Sequence, residues 1–205
     1  MKKNIIITGG NGGIANAINR RLKSDYNILL PDRIKLDVTN VLSIKNYFHN
    51  KNIDILINNA GYIEPSNIIE DNDEFIQTFQ TNTIGVFQCT KEVLKNNPHA
   101  IIINIGSSAG SSIKGGWSSY CSSKAAIIMA TSCWAQEGIS TICISPGRCA
   151  TKMRNKLYPD EDQTTLLSSD NFARIIKKAI NGHYKFTGLN IDVNLNNIEE
   201  LLNEK

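Results

Sequence analysis

Apolar residues in this chain fall into short unbroken runs separated by longer stretches of helical spacing. The runs Asn4–Ile7, Asn27–Leu30, Ile34–Leu36, Ile53–Ile57, Ala100–Ile105 and Ser140–Ile144 predict short strands, and Gly188–Val193 predicts a last one. They lack the in-out alternation of a half-exposed strand, which is the pattern of parallel strands covered on both faces. Between them, helical spacing predicts helices near Ile14–Leu22, Val41–Asn50, Glu74–Asn96, Ser118–Glu137 and Phe172–Ala179, with a helical tail over Asn196–Leu202. Strand and helix in alternation predict an α/β fold, an open doubly wound parallel sheet with helices on both faces. One segment breaks the rhythm. Only Pro31 to Lys35 separate Leu30 from Leu36, and a parallel crossover needs about a dozen residues. Either the second strand–helix–strand unit has lost its helix or one of these two runs is a loop.

In such sheets ligands bind beyond the carboxyl ends of the strands, so the residues just after each strand carry the chemical interest. The first strand runs into Thr8-Gly9-Gly10-Asn11-Gly12-Gly13-Ile14-Ala15, and a helix pattern starts at once. Glycines let a backbone turn sharply and approach a diphosphate, and the amides of a helix start point at its charge. The plainer reading is a tight turn without a ligand. Asp32 follows the second strand, where an acidic residue often takes the adenosine ribose hydroxyls and repels the extra phosphate of NADP. That favours NAD over NADP, while Arg33 beside it pulls the other way. Asp37-Val38 would meet the adenine edge, or Asp37 with Thr39 and Asn40 would cap the helix near Val41.

Composition narrows the class. The chain has 205 residues, 41% hydrophobic and 20% charged, with a net charge of +3. These are ordinary values for a globular protein able to bury one core without metals or disulfides. The charge is too small and too dispersed to argue for nucleic acid or a membrane surface. The run Arg174, Lys177, Lys178 reads as a solvated helix face. Five cysteines, without metal-ligand spacing and without a visible secretory signal, fit reduced thiols in the cytoplasm. No metal site is expected.

Tyr120 and Lys124 stand four apart in a predicted helix, hence on one face. A phenol with an ordinary pKa of about 10 is a poor base near neutrality, and a neighbouring ammonium favours its ionised form. Taken with Thr8-Gly9-x-x-x-Gly13-Ile14-Ala15, Asp37-Val38, Asn58-Asn59-Ala60-Gly61, Asn82, Asn104-Ile105-Gly106-Ser107-Ser108 and Pro146-Gly147-x-x-x-Thr151, the chain resembles the short-chain dehydrogenase/reductase family over nearly its whole length. Ala15 departs from the usual third glycine.

The resemblance implies a single Rossmann-type domain over residues 1–205 that moves a hydride between a nicotinamide cofactor, NAD or NADP, and a carbonyl or alcohol substrate. Tyr120 would be the general acid/base. Lys124 would bond the nicotinamide ribose and lower the Tyr120 pKa. Ser107, thirteen residues before Tyr120, would hold the substrate oxygen, with Ser108 as the alternative. Asn82 would help hold a water in the proton relay. Thr8, Gly9, Asn11, Gly12, Gly13, Ile14, Asp32, Asp37, Val38, Asn59, Ala60, Gly61, Pro146, Gly147 and Thr151 would complete the cofactor site. Residues 148–169 would form a short substrate lid. Ile63, Trp117, Cys149 and Met153 would line an apolar pocket, form core or make oligomer contacts. The helices over Glu74–Asn96 and Ser118–Glu137 would pair across a two-fold axis in a homodimer or homotetramer. Two further readings share the fold: a non-enzymatic dinucleotide sensor, and epimerisation or dehydration, for which the stretch after Lys152 is short.

Overall fold

The computed structural model describes residues 2–70 and 73–204. Its strands are β1 (Asn4–Ile7), β2 (Asn27–Leu29), β3 (Ile55–Asn58), β4 (Ile101–Ile105), β5 (Thr141–Pro146), β6 (Cys149–Ala150), β7 (Leu167–Ser168) and β8 (Thr187–Val193). Six of them form one parallel sheet in the order β2-β1-β3-β4-β5-β8, while β6 and β7 make a separate two-stranded ribbon. The helices are α1 (Gly13–Leu22), α2 (Val41–Phe48), α3 (Glu74–Phe79), α4 (Gly85–Asn96), α5 (Ser118–Gln136), α6 (Lys152–Leu157), α7 (Ser169–Ile180) and α8 (Ile198–Asn203). The doubly wound sheet expected from the apolar runs is present.

Successive side chains on a strand point to opposite faces, which sorts the core into two layers. Ile5, Ile7, Ile57, Ile103 and Ile144 pack against Ile18 and Leu22 of α1 and Phe172 and Ile176 of α7. Ile6, Leu56 and Ile102 pack on the other face against Phe48 of α2, Val93 of α4 and Ile127 of α5. This second layer turns polar toward the carboxyl ends of the strands. Asn58 donates to Asn104 at 2.9 Å and to Thr90 at 3.1 Å, and Asn104 donates to the Thr131 hydroxyl at 2.9 Å. All four are buried. A buried amide left unpaired costs about 1–3 kcal/mol, so a connected set of this kind fixes how β3 and β4 sit against α4 and α5.

Two expectations need correction. The Ile34–Leu36 run is a turn: the Leu36 amide donates to the Asp32 carbonyl at 2.9 Å, and Ile34 is 94% exposed. Only Leu36 of the run joins the core. No helix has been lost, because α2 itself carries the chain from β2 to β3, leaving β2 at the sheet edge. The long helix over Glu74–Asn96 is interrupted by a π-helical turn at Gln80–Ile84, where the Gly85 amide reaches back to the Gln80 carbonyl. Gly85 is required by crowding, since a Cβ there would stand 2.6 Å from the Val38 carbonyl. Residues 148–169 hold β6, α6 and β7, none of which periodicity foretold, because each is at most six residues long. In the basic run, Lys177 pairs with Asp25 at 3.0 Å and Lys178 donates to the Leu201 carbonyl at 2.7 Å, so both tie α7 to its neighbours.

Candidate active site

The loop after β1 is clamped to the loop after β3. The buried Thr8 hydroxyl accepts from the amides of Asn59 at 3.0 Å and Ala60 at 2.9 Å, and the Thr8 carbonyl accepts from Asn59 Nδ2 at 2.8 Å. Gly9 follows with φ +68°, and a Cβ there would stand 2.9 Å from Ala60 Cα. Conformation and space therefore both demand glycine. Gly12 begins α1 without a side-chain cap, and the first turn carries no acid. Among the described residues, the amides of Gly13 and Ile14 meet no acceptor. A helix start with free amides and a positive dipole end suits an anion such as a diphosphate.

From this point a groove of about 350 Å³ runs past Asp37, Val38, Asn59, Ala60 and Gly61 to Tyr120, Lys124, Pro146 and Thr151, with Gly9, Asn11, Gly12, Gly13 and Ile14 along its start. Thr8 stands behind the wall as a brace. Gly147 lines a neighbouring pocket instead. Asp32 does not reach the groove, because its carboxylate accepts from the Lys35 amide at 3.0 Å and caps the turn. Arg33 lines the groove in its place and pairs with Asp37 at 3.4 Å. Asp37 also accepts from the Thr39 amide and hydroxyl, while Asn40 caps α2. Tyr62, Gln77, Thr81 and Lys152 line the groove as well. None had been singled out. Lys152 follows the Pro146-to-Thr151 motif directly, whereas the other three carry no signal in sequence.

The second pocket, about 310 Å³, opens beside the groove and is lined by Ser107, Ser108, Tyr120, Gly147 and all four apolar candidates, Ile63, Trp117, Cys149 and Met153. Tyr120 borders both spaces, Lys124 only the groove and Ser107 only the pocket. The Ser107 hydroxyl acts on the Tyr120 phenol in the direction that lowers its pKa, and it accepts from the Ala109 amide at 3.2 Å. Lys124 Nζ donates to the Ile105 carbonyl at 2.9 Å and lies 5.9 Å from the Tyr120 ring centre. Asn82 lines neither space. Its side chain accepts from the Tyr62 amide at 2.8 Å and donates to the Tyr62 carbonyl at 2.8 Å and to Ser123 at 3.1 Å. It therefore ties the loop after β3 to α5.

A family model described as short chain dehydrogenase matches residues 32–162. The chain belongs to the short-chain dehydrogenase/reductase family. That family consists of NAD(P)-dependent oxidoreductases. The chain is 29% identical to nodulation protein G of Rhizobium sp., over 78% of this chain and 79% of that one. It is 34% identical to the 3-oxoacyl-[acyl-carrier-protein] reductase FabG of Haemophilus influenzae, over 62% of this chain and 54% of that one. Among solved structures, ElxO with NADP bound superposes with a TM-score of 0.81 at 26% identity, covering 94% of this chain and 97% of that one.

The groove fits the dinucleotide that family members bind, by its open amides at α1 and its unobstructed course to Tyr120. Electrostatics corrects one expectation about this dehydrogenase/reductase. Burial pushes the Tyr120 phenol up, and the Ser107 hydroxyl only partly offsets it. The Lys124 ammonium is bonded to the Ile105 carbonyl, and burial outweighs any lowering of the phenol. Burial lowers Lys124 itself to about 8. Tyr62, the other groove tyrosine, is pushed up to about 12 by its hydrogen bond to Glu74, so its proton is held. At Asp37 partial burial acts upward, but the Thr39 and Arg33 contacts outweigh it and leave the carboxyl below its usual range.

The lowered Lys124 value has a measurable consequence. Its ordinary value is 10.5 and its folded value about 8, so between those limits the unfolded chain binds more protons, and the Lys124 contribution to stability rises with pH. Chemical denaturation of the cofactor-free wild type and of Lys124→Met at pH 7 and pH 10 checks this. The stability difference should move in favour of the wild type at the higher pH.

Proposed function

We propose that this chain reduces the carbonyl of a small substrate to an alcohol, with NADPH as the hydride source. The observation that carries the reading is the position of Tyr120 at the junction of the groove and the pocket, with Ser107 in the pocket lining on one side and Lys124 in the groove lining on the other. The nicotinamide, when bound, supplies the hydride that reaches the carbonyl carbon. The oxygen then needs a proton, and a phenol held protonated by burial is suited to give it. The Ser107 hydroxyl holds the same oxygen and steadies its developing charge. Lys124 faces the groove, where it would bond the nicotinamide ribose. Gly9 to Ile14 would hold the diphosphate, and Asp37 and Val38 the adenosine end. Pro146 and Thr151 would close on the nicotinamide. Asn82 contributes position, its side chain being spent on Tyr62 and Ser123. Arg148, Cys149, Thr151, Met153, Arg154 and Leu157 line the pocket, which supports reading residues 148–169 as a short lid.

NADPH is preferred to NADH in this reading because Arg33 borders the groove while Asp32 is turned away into its own loop. The NADP of ElxO supports it. Phe75, Ile76, Ile84, Phe87 and Met129 are all more than two-fifths exposed along α3, the π turn, α4 and α5. Covering them between copies would remove an apolar face from water, so the protein is read as a homo-oligomer.

Tyr120→Phe should leave cofactor affinity intact and lower turnover by roughly a hundredfold or more, measured by NADPH oxidation. Unchanged turnover would move the chain to the dinucleotide-sensor reading. Arg33→Ala should weaken NADPH binding by about tenfold, the worth of one charge-assisted contact, and NADH binding far less, by calorimetric titration. Sedimentation at micromolar concentration should show a species heavier than 22.7 kDa.

A further inference from the structure

Among the described residues, three cations border the substrate pocket and no carboxylate lines it. They come from separate elements: Lys114 from the loop before α5, Arg148 from the turn after β5, and Arg154 from α6. Arg154 is committed. It holds the Glu161 carboxylate through two hydrogen bonds of 2.6 Å, with both side chains only 15% exposed. Arg148 shares that carboxylate at 3.3 Å with its side chain 58% exposed. Lys114 has no carboxylate partner among the described residues. Its ammonium stands 3.7 Å over the Trp117 ring and donates to the Tyr158 hydroxyl at 2.5 Å.

One carboxylate thus faces three cations, and the surplus charge rests on Lys114 and Arg148. A neutral ring and a neutral hydroxyl hold the ammonium in place without cancelling it. Trp117 connects this charge to the reacting centre, since its ring lies edge-on to Tyr120 with centres 5.7 Å apart. A substrate whose carbonyl meets Tyr120 and Ser107 therefore extends along Trp117 toward Lys114. At about 310 Å³ the pocket is at the small end for ligand sites.

We propose that the substrate is a small ketone bearing an anionic group, carboxylate or phosphate, and that Lys114 and Arg148 select for that charge. This rests on the carbonyl-reductase reading, so charge selection is measured apart from turnover as well as through it. The probes are 4-oxopentanoate against its methyl ester, and dihydroxyacetone phosphate against dihydroxyacetone. In NADPH oxidation, at least one anion should exceed its neutral counterpart in kcat/KM by about tenfold, and the pair that does so identifies carboxylate or phosphate. Lys114→Gln and Arg148→Gln should each shrink that ratio, and the double variant should bring it near one. Arg21→Gln, a cation paired with Asp170 far from the pocket, should leave the ratio as it was. Neutral ketones reduced as well as the anions, or a ratio that survives the double variant, would overturn the proposal while leaving the reductase reading standing. If no probe is reduced, quenching of tryptophan fluorescence by the same four compounds decides the matter. Anion-selective quenching lost in the double variant upholds charge selection and sinks the reductase reading. Quenching without charge preference, or none, sinks the proposal.

Discussion

The hydroxyl of Thr8 holds the site together. In the order β2-β1-β3 the chain leaves β1 for α1 on one face of the sheet and leaves β3 for α3 and α4 on the other. Loops departing to opposite faces open a crevice beyond the strand ends. Such a crevice would be wide and soft if nothing crossed it. Thr8 crosses it by accepting two amides from the far side, and Gly9 then fits against Ala60 with no room for a side chain. The groove along which a dinucleotide would lie is the space left above this clamp.

The other end of the site depends on burial. Lys124 is buried and Tyr120 half-buried, and removal from water disfavours the charged form of each. The phenol rises, the ammonium falls, and both move toward neutrality. A protonated phenol is the form that can give a proton to a carbonyl oxygen. The Asn58–Asn104–Thr131 network and the Asn82 bonds to Tyr62 and Ser123 keep α5 at its station beneath the pocket. Positions far from the chemistry thus decide where the chemistry can occur.

Charge at the two rims is arranged differently. At the groove rim proposed for the adenosine one cation, Arg33, faces one carboxylate, Asp37, and the pair leaves the guanidinium largely exposed. Over the pocket beside Ser107 cations outnumber carboxylates among the described residues, and the surplus sits on Lys114, held by Trp117 and Tyr158, and on Arg148, which shares Glu161 with Arg154. Under the proposed function, ligand selection at both rims would rest on which charges are already neutralised within the protein.

Sequence by itself determined the sheet, the glycine loop and the Tyr120–Lys124 pair. Each is local: a buried parallel strand reads as an apolar run, a helix start against an anion reads as glycines, and residues four apart on a helix share a face. It also singled out Ser107, and it named Ile63, Trp117, Cys149 and Met153 while leaving pocket, core and oligomer contact open. Tertiary structure decided what depends on partners distant in the chain. Ile34 has the apolar character of a strand residue but has no strand to pair with, so its segment closes into a turn on Asp32. That turn consumes the carboxylate expected at the ribose and presents Arg33 instead. The π turn at Gln80–Ile84 belongs to a long helical pattern in sequence and becomes visible only where α4 passes the Val38 carbonyl. The direction of the Tyr120 shift follows from burial by segments distant in the chain, and the Lys124 ammonium is held by the carbonyl of Ile105, nineteen residues earlier. Lys114, Arg148 and Arg154 share no motif. They meet because the loop before α5, the turn after β5 and α6 converge over one pocket, and electrostatic fields depend on distance in space, to which separation along the chain gives no guide.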